Sequence, residues 1–215
     1  MPDDGSEGAR AGHLVDHPWF SRAYRLAEGP LERALGKARG AQNAQAWGRT
    51  LVIGAGTGLD VPVLGERATE VVLLEPDATM RRTLAKRFPA LPVLGTSAEA
   101  TTLADGTYDT VVGSLVLCSV TDMDRVLEEI SRVLAPGGQY LFLEHVRSPR
   151  PMAGAVQQAL EPVWRRLGGG CRLTRDVEAA VCASALTLTQ REVVRSGGIV
   201  PVIRGRAVKG ASPEL

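Results

Sequence analysis

The chain is short of the features that would staple, anchor or steer it. Its 215 residues include only three cysteines, Cys118, Cys171 and Cys182. They form no CxxC pair and no even framework, which excludes a disulfide scaffold and fits reduced thiols in a cytoplasmic protein. No metal site is expected. Lys and Arg number 25 against 24 Asp and Glu, a net charge of +1. Without a basic excess there is no electrostatic case for nucleic acid. No apolar run approaches the ~20 residues that a membrane-spanning helix needs. The opening "MPDDGSEGARAGH" is polar and acidic, so neither a signal peptide nor an anchor is expected there. Residues 1–14 and 211–215 read as loose ends. There is no repeat at a fixed period and no low-complexity linker.

What is present reads as one domain over residues 15–210, with 44% apolar and 23% charged residues, the balance of a globule with a sizeable core. From about residue 50, β-rich runs alternate with helical patterns. The runs are "TLVIG" (50–54), "EVVLLE" (70–75), "LPVLG" (91–95), "YDTVVGSLVL" (108–117) and "QYLFLEHV" (139–146). Met80, Leu84 and Phe88 recur at helical spacing. Val126, Leu127, Ile130, Val133 and Leu134 form a full stripe, opened by "TDMD" as a cap and closed by "PGG". Near-continuous apolar strands imply a mostly parallel sheet covered on both faces. The expected fold class is therefore α/β, a Rossmann-like doubly wound sheet of about seven strands, mostly parallel with an antiparallel edge. That edge is a hairpin of 187–194 and 200–209, turning at Gly197-Gly198. Residues 15–48 read as a helical cap, in two helices separated near Pro30. Residues 147–175 read as a lid or substrate insert kinked at Pro162.

In "TLVIGAGTGLD" three glycines stand on alternate positions, Gly54, Gly56 and Gly58. A P-loop needs a lysine after the last glycine, and here Leu59-Asp60 follow. A dinucleotide fingerprint needs a small residue at the position of Leu59. The spacing GxGxG, with an acidic residue closing the next strand, fits S-adenosylmethionine better. Glu75 is that residue, 17 positions past Gly58. An ionised carboxylate is a bidentate acceptor and suits the two hydroxyls of a ribose. Glycines that serve only tight strand–helix packing are the alternative.

These residues carry a resemblance. "LVIGAGTG", "EPDATMRRTLAKR", "TSAEATTLADGTYDTVVGSLVLCSV" and "VLEEISRVLAPGGQYLFLEHV" are similar to the successive motifs of class I S-adenosylmethionine-dependent methyltransferases. "LVLCSV", "FLEHV", "EPVW", "GGCRLTR" and "GRAVK" further resemble the branch containing methyltransferase-like protein 7, a thiol S-methyltransferase. The resemblance implies that Gly54, Ala55, Gly56, Thr57 and Gly58 line the methionine and ribose. It gives Glu75 the ribose diol, Pro76 and Met80 the adenine face, Ser97 and Ala98 the adenine edge, and Ser114 and Leu115 the methionyl group. Two positions depart from the family pattern. Val52 stands where an acid is usual two before the first glycine, and Ser97 stands where aspartate is common. Both imply weaker cofactor binding or a compensating group elsewhere.

Methyl transfer from a sulfonium is an in-line displacement, for which a protein mainly positions the acceptor and excludes water. A thiol with pKa near ~8.5 already holds a few per cent thiolate at neutral pH, whereas a phenol near ~10 gains more from a base. His145, at the carboxyl end of the fifth run, is the candidate general base; local bonding at the strand-to-helix turn is the alternative. His17, Phe20 and Tyr24 from the helical cap, with Trp164 and Arg175 from the insert, are candidate acceptor-binding residues. His13 reads as exposed, Cys118 as an apolar filler, and Cys171, in a glycine hinge, as accessible. Residues 146–175 hold six arginines against Glu161, which admits an anionic group or peripheral contact with a lipid surface. If Val156, Leu160, Val163, Trp164 and Leu167 face the cofactor, they form an apolar lid over a small lipophilic acceptor. Thiol methylation is the favoured activity. O-, N- or C-methylation of a natural product, quinone or phospholipid headgroup is the first alternative. A cyclase or regulatory protein that binds the cofactor without transferring methyl is the second. Oligomeric state is not legible.

Overall fold

The computed structural model describes residues 18–195 and 199–211, and the backbone alone at Pro18, Trp19 and Phe20. The expectations for His13, His17, the Phe20 side chain, the Gly197-Gly198 turn, residues 1–14 and residues 212–215 lie outside the described residues.

The order of elements is α1 (Pro18–Asn43), β1 (Gly48–Ile53), β2 (Ala68–Leu74), α2 (Ala78–Arg87), β3 (Val93–Leu94), β4 (Tyr108–Ser114), α3 (Met123–Val133), β5 (Leu134–His145), α4 (Pro151–Leu167), α5 (Val177–Ala183), β6 (Leu186–Arg195) and β7 (Val202–Lys209). Successive strand side chains point to opposite faces, and in β1 both faces are covered. Leu51 and Ile53 join Val111, Tyr140 and Phe142 beneath the α3 stripe of Val126, Leu127, Ile130 and Val133. Val52 joins Val112, Leu141 and Leu73 on the other face, against Leu84 of α2. That two-sided cover is why the strands read as continuous apolar runs rather than alternating ones.

The sheet has seven strands in the order β3-β2-β1-β4-β5-β7-β6. β1, β2, β3, β4 and β5 pair in parallel, and β7 runs antiparallel to both β5 and β6. The expected class and the edge hairpin are both present. The strand order reverses between β1 and β4, so the ligand crevice of such a sheet lies at their carboxyl ends. Among the described residues no helix is long and apolar enough to cross a membrane.

Two local expectations need correction. Residues 17–47 were expected as separate helices, but α1 is one 26-residue helix with Pro30 inside. Proline removes one backbone bond, to the carbonyl of Leu26, and Leu26 is 85% exposed. Side-chain bonds hold both ends of the helix: Ser21 Oγ donates to Asp77 Oδ1 at 3.0 Å, and Asn43 Nδ2 to Asp60 Oδ1 at 2.7 Å. The second correction concerns "PGG". β5 begins at Leu134, directly after α3, and Pro136-Gly137-Gly138 sit inside it. The ladder pairs Tyr108 with Leu134 and then Thr110 with Gln139. The glycines are therefore a bulge, and regular pairing resumes at residue 139, where the strand was expected to start.

The loop from Thr101 to Asp105 is tied to α3 by Glu129 at Thr101 and by Arg132 at Leu103 and Asp105. Glu129 accepts from Thr101 N (3.0 Å), Thr101 Oγ1 (2.8 Å), Arg132 Nε (2.9 Å) and Arg132 Nη2 (2.8 Å). The Arg132 bonds, against the opposing effect of burial, bring its pKa down to about 2. The stability it contributes is fully present above the unfolded pKa, near ~4.3, and is lost as pH falls through the folded value. Glu129→Gln is therefore expected to lower the denaturation midpoint at neutral pH, with the gap closing as the pH approaches about 2. Urea titrations across that range check this. A gap independent of pH would assign the effect to packing instead.

Candidate active site

After Ile53 the chain turns through Gly54, Gly56 and Gly58, at φ of 54°, 57° and 90°. The outer two are demanded by protein atoms. A Cβ on Gly54 would stand 2.8 Å from Val116 Cγ2, and one on Gly58 would collide with the Phe88 ring. At Gly56 the nearest atoms would be 3.9 Å (Gly54 O) and 4.0 Å (Tyr24 Cε1) away, ordinary contact distances, so no protein atom there demands a glycine by collision. Glu75, just past β2 and 4% exposed, reaches back to the turn. Its Oε2 accepts from Gly56 N at 2.7 Å and its Oε1 from Asp77 N at 2.8 Å. Burial raises its pKa, while the N–H groups of Asp77 and Gly56 oppose that rise. Arg81 Nη1 donates to the carbonyls of Glu75 (3.0 Å) and Pro76 (3.1 Å), fixing the strand end. Asp77 caps α2 through Met80 N at 2.8 Å, and Met80 is buried.

The rest of the expected cofactor set divides. Ser114 lies at the end of β4, and Leu115 follows at φ 60°, the only left-handed non-glycine among the described residues. A leucine held there costs about 1–3 kcal/mol, and such strain clusters at functional sites. Ser97 Oγ accepts from Glu99 N at 3.2 Å. Ala98 is turned into the core beside Leu51 and Ile53.

Sequence reasoning missed Asp60, whose only signal was an acid two places after the last glycine. Its Oδ1 accepts from Arg39 Nη1 (3.0 Å), Asn43 Nδ2 (2.7 Å) and Ser114 Oγ (2.6 Å). Asp60 and Arg39 are 3% and 2% exposed. This cluster ties α1 across the glycine turn to the end of β4. Further along the helix, Glu28 meets Arg87 at 3.8 Å, and Arg87 Nη1 donates to Thr57 O at 3.2 Å. Tyr24 is half-buried between these anchors, and burial pushes its pKa up to about 12. α1 is therefore held against the turn.

The second cluster lies at the ends of β4 and β5. Cys171 was expected to be accessible, but it is 5% exposed. The glycine hinge folds back, and Arg172 N donates to Cys118 O at 2.7 Å. Cys171 Sγ then lies 3.6 Å from Cys118 Sγ and 3.3 Å from His145 Nδ1. Cys118 Sγ is 4.0 Å from the same nitrogen. The hydrogen bond from Cys118, helped by His145, draws the Cys171 thiol down to about 5. That same bond, with burial, pushes Cys118 well up. Glu144 beneath them is fully buried and accepts from Val116 N (2.8 Å), Leu117 N (2.8 Å) and Cys118 N (3.1 Å). Burial raises it to about 7 against those donors. Arg175 donates to the carbonyls of Leu117, Val120 (2.5 Å) and Thr121 (3.1 Å), so its guanidinium holds the loop after β4.

α4 presents its stripe outward. Leu160, Val163 and Leu167 are 43%, 59% and 74% exposed, while Gly154 and Gln157 are buried. Gln157 docks the helix by accepting from Ser148 N at 2.7 Å and donating to Val146 O at 3.2 Å. A lid of these apolar residues over the cofactor is not what the fold builds. Trp164, 38% exposed, is the member of the stripe that bonds to Cys171.

Residues 51–142, from β1 through most of β5, match the family model described as a methyltransferase domain. Human thiol S-methyltransferase TMT1B is 44% identical over 112 residues, 50% of this chain and 46% of that protein. The match to a methyltransferase domain takes in a little under half of the chain. The chain spans about half the length of the thiol methyltransferases it matches. A phosphatidylethanolamine N-methyltransferase from Cereibacter sphaeroides is 25% identical over 162 residues, 73% of this chain and 79% of that protein. The fold is shared with the solved geranyl diphosphate C-methyltransferase from Streptomyces coelicolor, in complex with S-adenosyl-L-homocysteine. There the TM-score is 0.66 at 14% identity, over 93% of this chain and 86% of that one.

The glycine turn fits S-adenosylmethionine, the cofactor that the sequence resemblance implies. A Cβ on Gly56 would meet no atom closer than 3.9 Å, so its glycine is not required by the protein's own packing. Each Glu75 oxygen has one protein donor, and a carboxylate offers about four lone-pair sites, so two remain for a diol. The hydroxyls of Thr57 and Thr96 are buried without a partner among the described residues. Such orphaned groups call for a ligand or water.

Proposed function

We propose that this protein transfers a methyl group from S-adenosylmethionine to a small lipophilic acceptor, with a thiol favoured. The observation that carries the reading is the Glu75 carboxylate bonded to Gly56 N at the strand switch, with acceptor capacity to spare. The likeness to thiol S-methyltransferases over half the chain supports sulfur as the acceptor atom. When bound, the cofactor supplies an electrophilic methyl group on a sulfonium. Glu75 orients it through the ribose, with Gly54, Ala55, Gly56, Thr57 and Gly58 against its backbone side and Pro76, Met80 and Ser97 toward the base. Ser114 and Leu115 meet the methionyl end. α1, with Tyr24 over Gly56, keeps water from the crevice. Trp164 and Arg175 border the acceptor side. His145 has Nδ1 engaged by Cys171, so a proton it accepts goes to Nε2. A thiol with pKa near ~8.5 makes little demand on such a base. The unpaired Cys118, Cys171 and Cys182 support a cytoplasmic setting.

A second reading, methylation of a phospholipid headgroup, draws on the Cereibacter relative and on the exposed stripe of α4 flanked by Arg150, Arg165 and Arg166. Incubation with methyl-labelled cofactor, lipophilic thiols, phenols and amines, and phosphatidylethanolamine vesicles separates the two. Label in thioether is expected. Label in the headgroup supports the second reading, and cofactor binding with no labelled acceptor overturns both.

A further inference from the structure

We propose that Cys118, Cys171 and His145 are the three protein ligands of a zinc-class metal ion, with the fourth position open to a thiol. The metal site stands on geometry alone. The thiol at its open position rests on the thiol reading above.

Tetrahedral zinc, with Zn–S near 2.3 Å and Zn–N near 2.0–2.1 Å, sets two sulfurs about 3.8 Å apart and sulfur from nitrogen about 3.5 Å apart. The sulfurs here are 3.6 Å apart, and His145 Nδ1 is 3.3 and 4.0 Å from them. All three ligand atoms lie within 4.8 Å of one another. A disulfide requires the sulfurs at about 2.05 Å, well inside the observed distance. Two thiolates and an imidazole select zinc or copper(I) over magnesium or calcium. Sequence spacing hid the site. The cysteines are 53 positions apart, and the histidine is 27 and 26 positions from them.

The surroundings match what a metal site requires. Ligands need partners that fix their direction. Cys118 N donates to Glu144, Cys118 O accepts from Arg172 N, and Arg175 pins the loop between. Three protein ligands with one open position is the arrangement of catalytic rather than structural zinc. The location suits an acceptor, because Cys118 lies two residues past Val116, whose methyl abuts Gly54 of the cofactor turn. On binding there, a thiol gives its proton to solvent and its sulfur becomes the fourth ligand as a thiolate. No oxidation or reduction is involved.

The test uses the full chain, reduced and stripped of metal. Titration with zinc should load one equivalent, and cobalt(II) should give the intense sulfur-to-metal charge-transfer absorption of a tetrahedral thiolate site. Cys118→Ser and Cys171→Ser should each weaken loading at least tenfold, while Cys182→Ser should not. Those variants change the packing of buried residues as well as removing a ligand, so the unmutated chain carries an independent arm: zinc should protect Cys118 and Cys171, but not Cys182, from alkylation. A lipophilic thiol should then shift the cobalt spectrum. Failure to load an equivalent, unprotected thiols, or a Cys118–Cys171 disulfide recovered in place of bound metal overturns the site. Loading without a thiol-induced shift overturns the open position. Equal thioether labelling with and without metal overturns its part in acceptor binding and leaves the methyl-transfer reading standing.

Discussion

Asp60→Ala is expected to destabilise the fold by about 3 kcal/mol or more, the cost of breaking a buried ion pair from one side. Asp60 accepts three hydrogen bonds on one oxygen, from Arg39, Asn43 and Ser114. Removing it leaves Arg39, 2% exposed, with Glu32 at 3.0 Å as its remaining carboxylate. Arg39 Nη2 is already buried without a partner, so the guanidinium has no slack. The damage should spread unevenly. α1 is tied to the turn and to β4 through this carboxylate, so amide exchange in α1 should accelerate more than in β4 or β5. The converse experiment isolates the charge. With Arg39→Met, the further loss on Asp60→Ala should be much smaller, because no buried cation is left to strand. Urea denaturation of the four proteins closes the cycle. A single-variant loss below about 1 kcal/mol would place Asp60 among ordinary surface acids.

The β-strands and the α3 stripe were legible because their signals are local. Continuous apolar runs report a sheet covered on both faces, and Asp122 caps α3 through Arg125 N at 3.1 Å, as "TDMD" suggested. Glu75 was legible for a related reason, since its place at a strand end follows from strand length alone. What escaped depends on contacts that no local pattern encodes. Pro30 marks a boundary by propensity, yet anchors at Ser21 and Asn43 keep one helix across it. The α4 stripe announced an apolar face but not which side would look inward; Gln157, bonded to Val146 and Ser148, decided that. Asp60 drew its role from Arg39 and Asn43, on a helix 21 and 17 positions earlier. Cys171 read as exposed because hinges usually are, until Gly168–Gly170 folded it onto Cys118. One of the two departures from the family pattern also finds its setting. Val52 lies in the core against Leu73 and Leu84. The acid missing from that position is matched by Asp60 on the far side of the turn, bonded to Ser114 of β4.

Glu75→Ala is expected to raise the dissociation constant for S-adenosylmethionine at least tenfold, about 1.4 kcal/mol. Hydrogen bonds to a charged group are each worth about 1.5–3 kcal/mol, so losing the acceptor for a ribose diol accounts for a tenfold change. The substitution also removes the acceptor for Gly56 N (2.7 Å) and Asp77 N (2.8 Å), which lets the turn relax away from its binding shape. Glu75→Gln separates these effects. Its amide keeps one oxygen but turns two N–H donors toward a site where the protein already presents donors, so little affinity should be recovered despite the matched size. Acid should act in the same direction. Burial raises the Glu75 pKa, so its carboxylate is neutralised at a higher pH than an ordinary glutamate, and cofactor affinity should fall earlier on the acid side than it would with an exposed acid there. Calorimetric titration of the three proteins across that range measures both effects, with thermal unfolding as the control for a merely loosened fold. An unchanged dissociation constant in Glu75→Ala would place the ribose elsewhere and, with it, the crevice that positions the methyl donor against the Cys118 loop.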